Sequence, residues 1–90
     1  MVSPHRIYVV LDVLKPRNPS LPEFAIHLGE LAGVTKVDVT MTEMDDRTES
    51  LKVIIEGTAI QFDELKEHIE KQSATIHSID QIIVEKPPKH

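Results

Sequence analysis

Cysteine is absent from the 90-residue chain, and aromatic residues make up only 3% of it. Without cysteine there are no disulfides, no zinc–thiolate sites and no thiol nucleophile. The scarcity of aromatic residues argues against an RNA-binding sheet, which stacks bases on aromatic side chains of its central strands. Tyr8 is the one aromatic residue in the strands that we predict to be central.

Basic charge and long apolar runs are also lacking. The 10 basic and 15 acidic residues give a net charge of −5, with no basic stripe of the kind that displaces counterions from nucleic acid. No apolar run approaches the ~20 residues of a membrane span, and the sequence opens without a signal-peptide pattern. We therefore expect no nucleic-acid partner, no membrane contact and, by default, a cytoplasmic location.

The pattern of apolar residues divides the chain into four strands and two helices. Runs rich in β-branched residues predict the strands, and apolar residues at helical spacing predict the helices. Ser20 and Glu23 form a capping-box pattern with Pro22 in the first turn, and Gly33 is a suitable left-handed stop. The predicted elements are a strand at 5–15, a helix at 21–32, strands at 34–44 and 51–57, a helix at 61–71 and a strand at 75–85.

This element order is that of a ferredoxin-like β-α-β-β-α-β sandwich. We therefore predict an α+β fold in which a four-stranded antiparallel sheet carries two helices on one face. The chain should form one domain over residues 1–90, with an ordered core at about 5–85 and a tail at 86–90. Because crossover connections are right-handed, the first and third strands should occupy the centre of the sheet.

The same topology brings the end of the first strand, the hairpin tip and the start of the last strand to one end of the sheet. Four carboxylates lie within residues 43–49 of the hairpin, and hard cations want several converging oxygens. The candidate ligands of a calcium or magnesium ion are Asp12, Asp45 and Glu49. The alternative, which we prefer, is a solvated hairpin tip whose charge is balanced by Arg47 and Lys52.

Asp12 needs a partner because it lies inside an apolar strand. Arg47, Lys15 and backbone N–H groups at the sheet end would serve within the chain. A cation or a neighbouring subunit would serve as a functional partner, and the sequence leaves these choices open.

The first strand is apolar on both faces, although two helices on one side can cover only one of them. An uncovered apolar face indicates association with another subunit. We therefore predict Tyr8, Val10 and Leu14, together with His77 at the sheet end, as interface residues. The alternative is a central stripe shielded by long neighbours such as Lys52.

His77 stands next to Ser78, with Asp80 nearby, but these residues do not predict a hydrolytic triad. Adjacent strand residues point to opposite faces, so His77 cannot orient Ser78. No nucleophile elbow is present either. We interpret His77 as a hydrogen-bonded structural or interface histidine.

Three local sequences resemble an archaeal family of small uncharacterised proteins, domain-of-unknown-function family 211. They are residues 11–16 (LDVLKP), residues 43–49 with the Thr48-Glu49 pair, and residues 76–80 (IHSID). The likeness runs from about Arg6 to Val84 and departs a little at residues 31–37. The resemblance implies a ferredoxin-like fold and assembly into closed rings of six or seven copies, and it implies no established activity.

Two hypotheses follow for the function. The first is a homo-oligomer with a structural or regulatory role, which binds a divalent cation or a small ligand between subunits. The second is a metal-dependent enzyme with a carboxylate site at the hairpin end of the sheet. We prefer the first, because one small domain rarely provides a concave, partly dry pocket without its neighbours.

Overall fold

A computed structural model of the protein describes residues 4–87. It contains the six predicted elements in the predicted order, which confirms the ferredoxin-like α+β fold. The last three residues of the predicted tail lie outside the described residues. The elements are β1 (Arg6–Pro16), α1 (Leu21–Gly29), β2 (Val34–Met44), β3 (Thr48–Thr58), α2 (Phe62–Glu70) and β4 (Thr75–Glu85).

Local sequence signals set the ends of α1. The Ser20 hydroxyl accepts the N–H of Glu23, and the Glu23 carboxylate accepts the N–H of Ser20, so the predicted capping box is present. Its hydrogen bonds with Ser20 lower the pKa of Glu23. The helix ends at Gly29, earlier than predicted. Gly33 has a positive φ of +91°, as predicted, but it lies in the turn into β2 and does not end α1. A Cβ added at Gly33 would lie 2.3 Å from the Thr58 carbonyl oxygen.

The four strands form one sheet in the order β2-β3-β1-β4, and all neighbouring strands are antiparallel. β1 and β3 are therefore central, as predicted, and β2 and β4 are the edges. Two irregularities interrupt the pairing of β4 with β1, one at His77 and one at Asp80. Bulges of this kind bend an edge strand and re-aim its side chains.

The core lies between the sheet and the two helices. Alternate residues of the central strands face the helices and are buried, together with apolar residues of both helices. The fully buried side chains of this layer include Val9, Leu11, Val13, Phe24, Leu28, Leu51, Val53, Ile55, Leu65 and Ile69. In residues 4–87, no helix is long and apolar enough to span a membrane.

The helices are much shorter than the strands. Each strand has 11 residues and each helix nine, so the strands span about 36 Å and the helices about 14 Å. The molecule is correspondingly elongated, with extents of 52 × 20 × 19 Å. The helices cover the central strands along their length, while part of the helix-side face is left without cover at its two edges.

Candidate functional site

The end of β1, the hairpin tip and the start of β4 meet at one end of the sheet, as predicted. β1 ends at Pro16, the hairpin joins Met44 to Thr48, and β4 begins at Thr75, so these segments meet at one end of an antiparallel sheet. Arg17 ties the loop after β1 to the hairpin tip, because its guanidinium donates to the Asp45 carbonyl at 3.0 Å and the Asp46 carbonyl at 3.1 Å.

A buried ion pair underlies this end. The Lys15 side chain is fully buried on the helix side, and its Nζ lies 2.7 Å from Glu49 Oε1. Nζ also donates to the carbonyls of Pro16 and Pro19. Glu49 Oε1 has no well-oriented hydrogen-bond donor among residues 4–87, so its contact with Lys15 is a charge attraction. Lys15 thus neutralises Glu49 and fastens the loop after β1 beneath the hairpin.

Asp45 shapes the hairpin turn. Its Oδ1 accepts the backbone N–H of Arg47 at 3.0 Å, the N–H of Thr48 at 2.8 Å and the Thr48 hydroxyl at 3.0 Å. These hydrogen bonds, led by the one from Arg47, lower the pKa of Asp45 from its ordinary value of 3.8. The carboxylate therefore serves as a local turn cap.

Asp12 lies apart from the other two predicted metal ligands. It is half-buried on the face of the sheet that the helices leave open, and its neighbours in the sheet are Lys52 and Ser78. Glu49 points to the helix side, where it meets Lys15. Among residues 4–87, no three His, Asp or Glu side chains come together as a metal site. The geometry therefore does not support a three-carboxylate site of Asp12, Asp45 and Glu49 within one chain, nor a pairing of Asp12 with Lys15.

His77 is exposed and lies at the first irregularity of β4, near Asp12, Leu14 and Ser50 around a small hollow. The Ser78 hydroxyl donates to Asp80 Oδ1 at 2.7 Å, so Ser78 is engaged by Asp80. No triad forms from these residues, and His77 stays a predicted interface residue.

The open face of the sheet is less exposed than its sequence predicts. Val10 is only 6% exposed although no helix covers it, because Ile54 and Gln81 flank it in the sheet. Tyr8 is half-buried and Leu14 is 44% exposed. The shielding alternative thus accounts for Val10 and leaves Leu14 as the most exposed of the three predicted apolar interface residues.

The large exposed apolar surface lies on β4 instead. Ile79 is 57% exposed, Ile82 48% and Val84 54%. All three share the helix side with the core residues of β1 that they pair with, but they stand at the sheet edge beyond the cover of the helices. Ile83, 44% exposed, points to the open face. Sequence reasoning overlooked these residues because it predicted β4 only as a strand and did not consider that two helices leave the edge of the sheet uncovered.

Two histidines join the helices, which the sequence did not predict. His68 Nε2 hydrogen-bonds to the His27 carbonyl at 2.6 Å, and His27 Nδ1 hydrogen-bonds to Gln72 Oε1 at 3.2 Å. Each histidine lies in the last turn of its helix. The sequence signal for this contact is that both positions border an apolar helix face.

Comparisons with known proteins identify relatives without assigning a role. A family model for DUF211, described as uncharacterised ArCR, matches residues 7–87. A protein of Methanocaldococcus jannaschii, itself described as uncharacterised, is 44% identical over 78 residues, which cover 87% of this chain and 80% of that protein.

Proposed function

Because the chain belongs to the uncharacterised family DUF211, its role must be inferred from its surface, and we propose that it works as a homo-oligomer with a structural or regulatory role. The single observation that supports this proposal is that β4 exposes several large apolar side chains. Contiguous apolar surface on an edge strand marks an interaction site, because it invites pairing with another chain. A ring of six or seven copies is the form of assembly that the family resemblance implies.

Light scattering on the purified protein at micromolar concentration tests the proposal. We expect a mass that is a multiple of 10.2 kDa and a return to one chain for the double variant Ile82→Thr/Val84→Thr. Threonine keeps the β-branched shape that favours strands but reduces the apolar surface. A wild-type mass of 10.2 kDa would refute the proposal.

Leu14→Thr is the matched variant on the open face. We expect it to leave the assembly intact, since the edge of the sheet holds most of the exposed apolar side chains. If Leu14→Thr alone dissociates the assembly, the interface lies on the open face, where Tyr8, Val10 and Leu14 were predicted to contact another copy.

A divalent cation between subunits is the second part of the proposal. A second chain would have to supply the missing oxygens, because the carboxylates of one chain do not converge. If calcium or magnesium binds only the native assembly, millimolar cation should raise the melting temperature, and Asp12→Asn should abolish the rise. An unchanged melting curve in millimolar cation would mean that the assembly binds neither calcium nor magnesium. A metal-dependent enzyme has no comparable observation in its favour.

A further inference from the structure

We infer that β4 of one copy pairs head to tail with β2 of a second copy, and that the helix-side residues of β4 enter the groove between α1 and β2. This inference rests on the self-association proposed above and identifies the two surfaces that meet. The groove has a volume of about 460 Å³ and is lined by Leu21, Pro22 and Ala25 of α1 and by residues 36–39 of β2.

The exposed apolar side chains are concentrated at the two edges of the sheet. Of the eight large apolar side chains exposed in residues 4–87, six lie on β2 or β4. One contact between unlike edges would cover both groups at once. The six residues are Met41 and Met44 on β2, and Ile79, Ile82, Ile83 and Val84 on β4.

The strand directions are compatible with this pairing. β3 is antiparallel to both β1 and β2, and β4 is antiparallel to β1, so β2 and β4 of one chain run in opposite directions. A second copy in the same orientation therefore continues the sheet in antiparallel order. Its helices then lie on the same side as those of the first copy.

The helix-side residues of β2 and β4 lie at matching positions along the strand direction. Pairing across β1 and β3 shows which residues of β2 and β4 lie at the same level along the strands. At each helix-side level an apolar residue of β4 would meet an apolar residue of β2, as cross-strand pairs require. The level pairs are Val84 with Val34, Ile82 with Val37, Ile79 with Val39 and Ile76 with Met41.

The open-face residues match in polarity. Gln81 lies level with Asp38, so its amide can donate to the carboxylate. Lys36 lies level with Ile83, to which it presents its aliphatic stem, and diagonal to Glu85, which has the opposite charge.

α1 gives this pairing an advantage over β4 pairing with itself. Strand pairing alone supplies neighbours beside Ile79, Ile82 and Val84 but no layer above them. Beside the β2 edge, α1 provides that second layer. Because the two surfaces differ, the contact is heterologous, and each added copy leaves one free edge at either end. The assembly therefore closes into a ring or extends, and it does not stop at two chains.

Engineered disulfides test the pairing cleanly because the chain has no cysteine. Asp38→Cys and Gln81→Cys alter exposed, level positions. In the double variant, mild oxidation should link each chain to both neighbours and give bands of two, three and more chains on a non-reducing gel. Each single variant should stay at one chain, because like residues on adjacent copies lie a four-stranded sheet apart, about 19 Å, beyond disulfide reach.

A mismatched double variant controls for random collision. Asp38→Cys with Thr75→Cys separates the cysteines by four residues of β1 register, or about 13 Å, so it should not form the ladder. A second level pair, Thr40→Cys with Ser78→Cys, repeats the test should the first variant fail to fold.

The outcomes separate this inference from the proposal beneath it. A ladder from the level pairs and not from the mismatched pair supports it. If light scattering gives an oligomer and neither level pair links, self-association stands and the head-to-tail pairing is wrong. A dimer band from Ile83→Cys alone, without a ladder from the level pairs, would assign β4 to pairing with itself. A single-chain mass for the wild-type protein overturns both.

Discussion

Glu49→Gln should be among the most damaging conservative substitutions in this protein. The Lys15 side chain is 0% exposed and the Glu49 side chain 11%, so water does little to screen either charge. Glutamine keeps the shape of Glu49 but removes its charge, which leaves the ammonium group with the carbonyls of Pro16 and Pro19 as partners. Breaking a buried pair in this way costs about 3–5 kcal/mol.

The expected loss is large against the whole stability of the fold. Domains of this size are stable by about 5–15 kcal/mol, so the substitution should remove more than half of the free energy of unfolding if the protein lies near the lower limit. Urea unfolding followed by circular dichroism measures it. Runs at two protein concentrations show whether any of the stability depends on assembly, because mass action would make such a contribution change with concentration.

Two further variants make the test specific. Glu67→Gln breaks an exposed pair with Lys71, whose side chains are 68% and 72% exposed, and should cost no more than about 0.5 kcal/mol. Lys15→Met, added to Glu49→Gln, should restore part of the stability because no unpaired charge is then buried. A loss below about 1 kcal/mol for Glu49→Gln, similar to that for Glu67→Gln, would mean that the Lys15 ammonium reaches water, and the buried ion pair would be refuted.

Three other substitutions probe separate features. Asp45→Ala should destabilise the hairpin. Because the pKa of Asp45 is lowered in the folded state, the stability that its carboxylate contributes is fully present above pH 3.8 and is lost as the pH falls through the lowered pKa. Acid titrations of variant and wild type, followed by circular dichroism, should therefore converge at low pH, and a constant gap would contradict this. Gly57→Ala places a Cβ 2.1 Å from the Gly33 carbonyl oxygen, and urea unfolding should show a loss of about 3 kcal/mol; a neutral result would mean that the backbones separate easily. Ser20→Ala removes the α1 cap and should cost about 1 kcal/mol in the same assay, whereas no loss would show that Ser20 adds nothing.

The sequence predicted the fold because its signals are local. Ser20 and Glu23 cap α1, the alternation of β2 and β3 marks a hairpin, and the right-handed crossover rule leaves one strand order. These signals depend on neighbours in the chain, so they can be read without coordinates. The meeting of the hairpin tip with the ends of β1 and β4 followed from the same rules.

The tertiary structure alone decided which charges are paired and which apolar residues stay exposed. Lys15 and Glu49 are 34 residues apart in the sequence, and only the register of β1 with β3 brings them together on the helix side. That register also directs Asp12 to the opposite face, which separates the predicted metal ligands. The exposure of Ile82 and Val84 depends on their place at the edge of the sheet, beside residues of β1 that the helices do cover. Burial is a property of the three-dimensional arrangement, so an apolar strand sequence cannot show by itself whether its side chains have a partner.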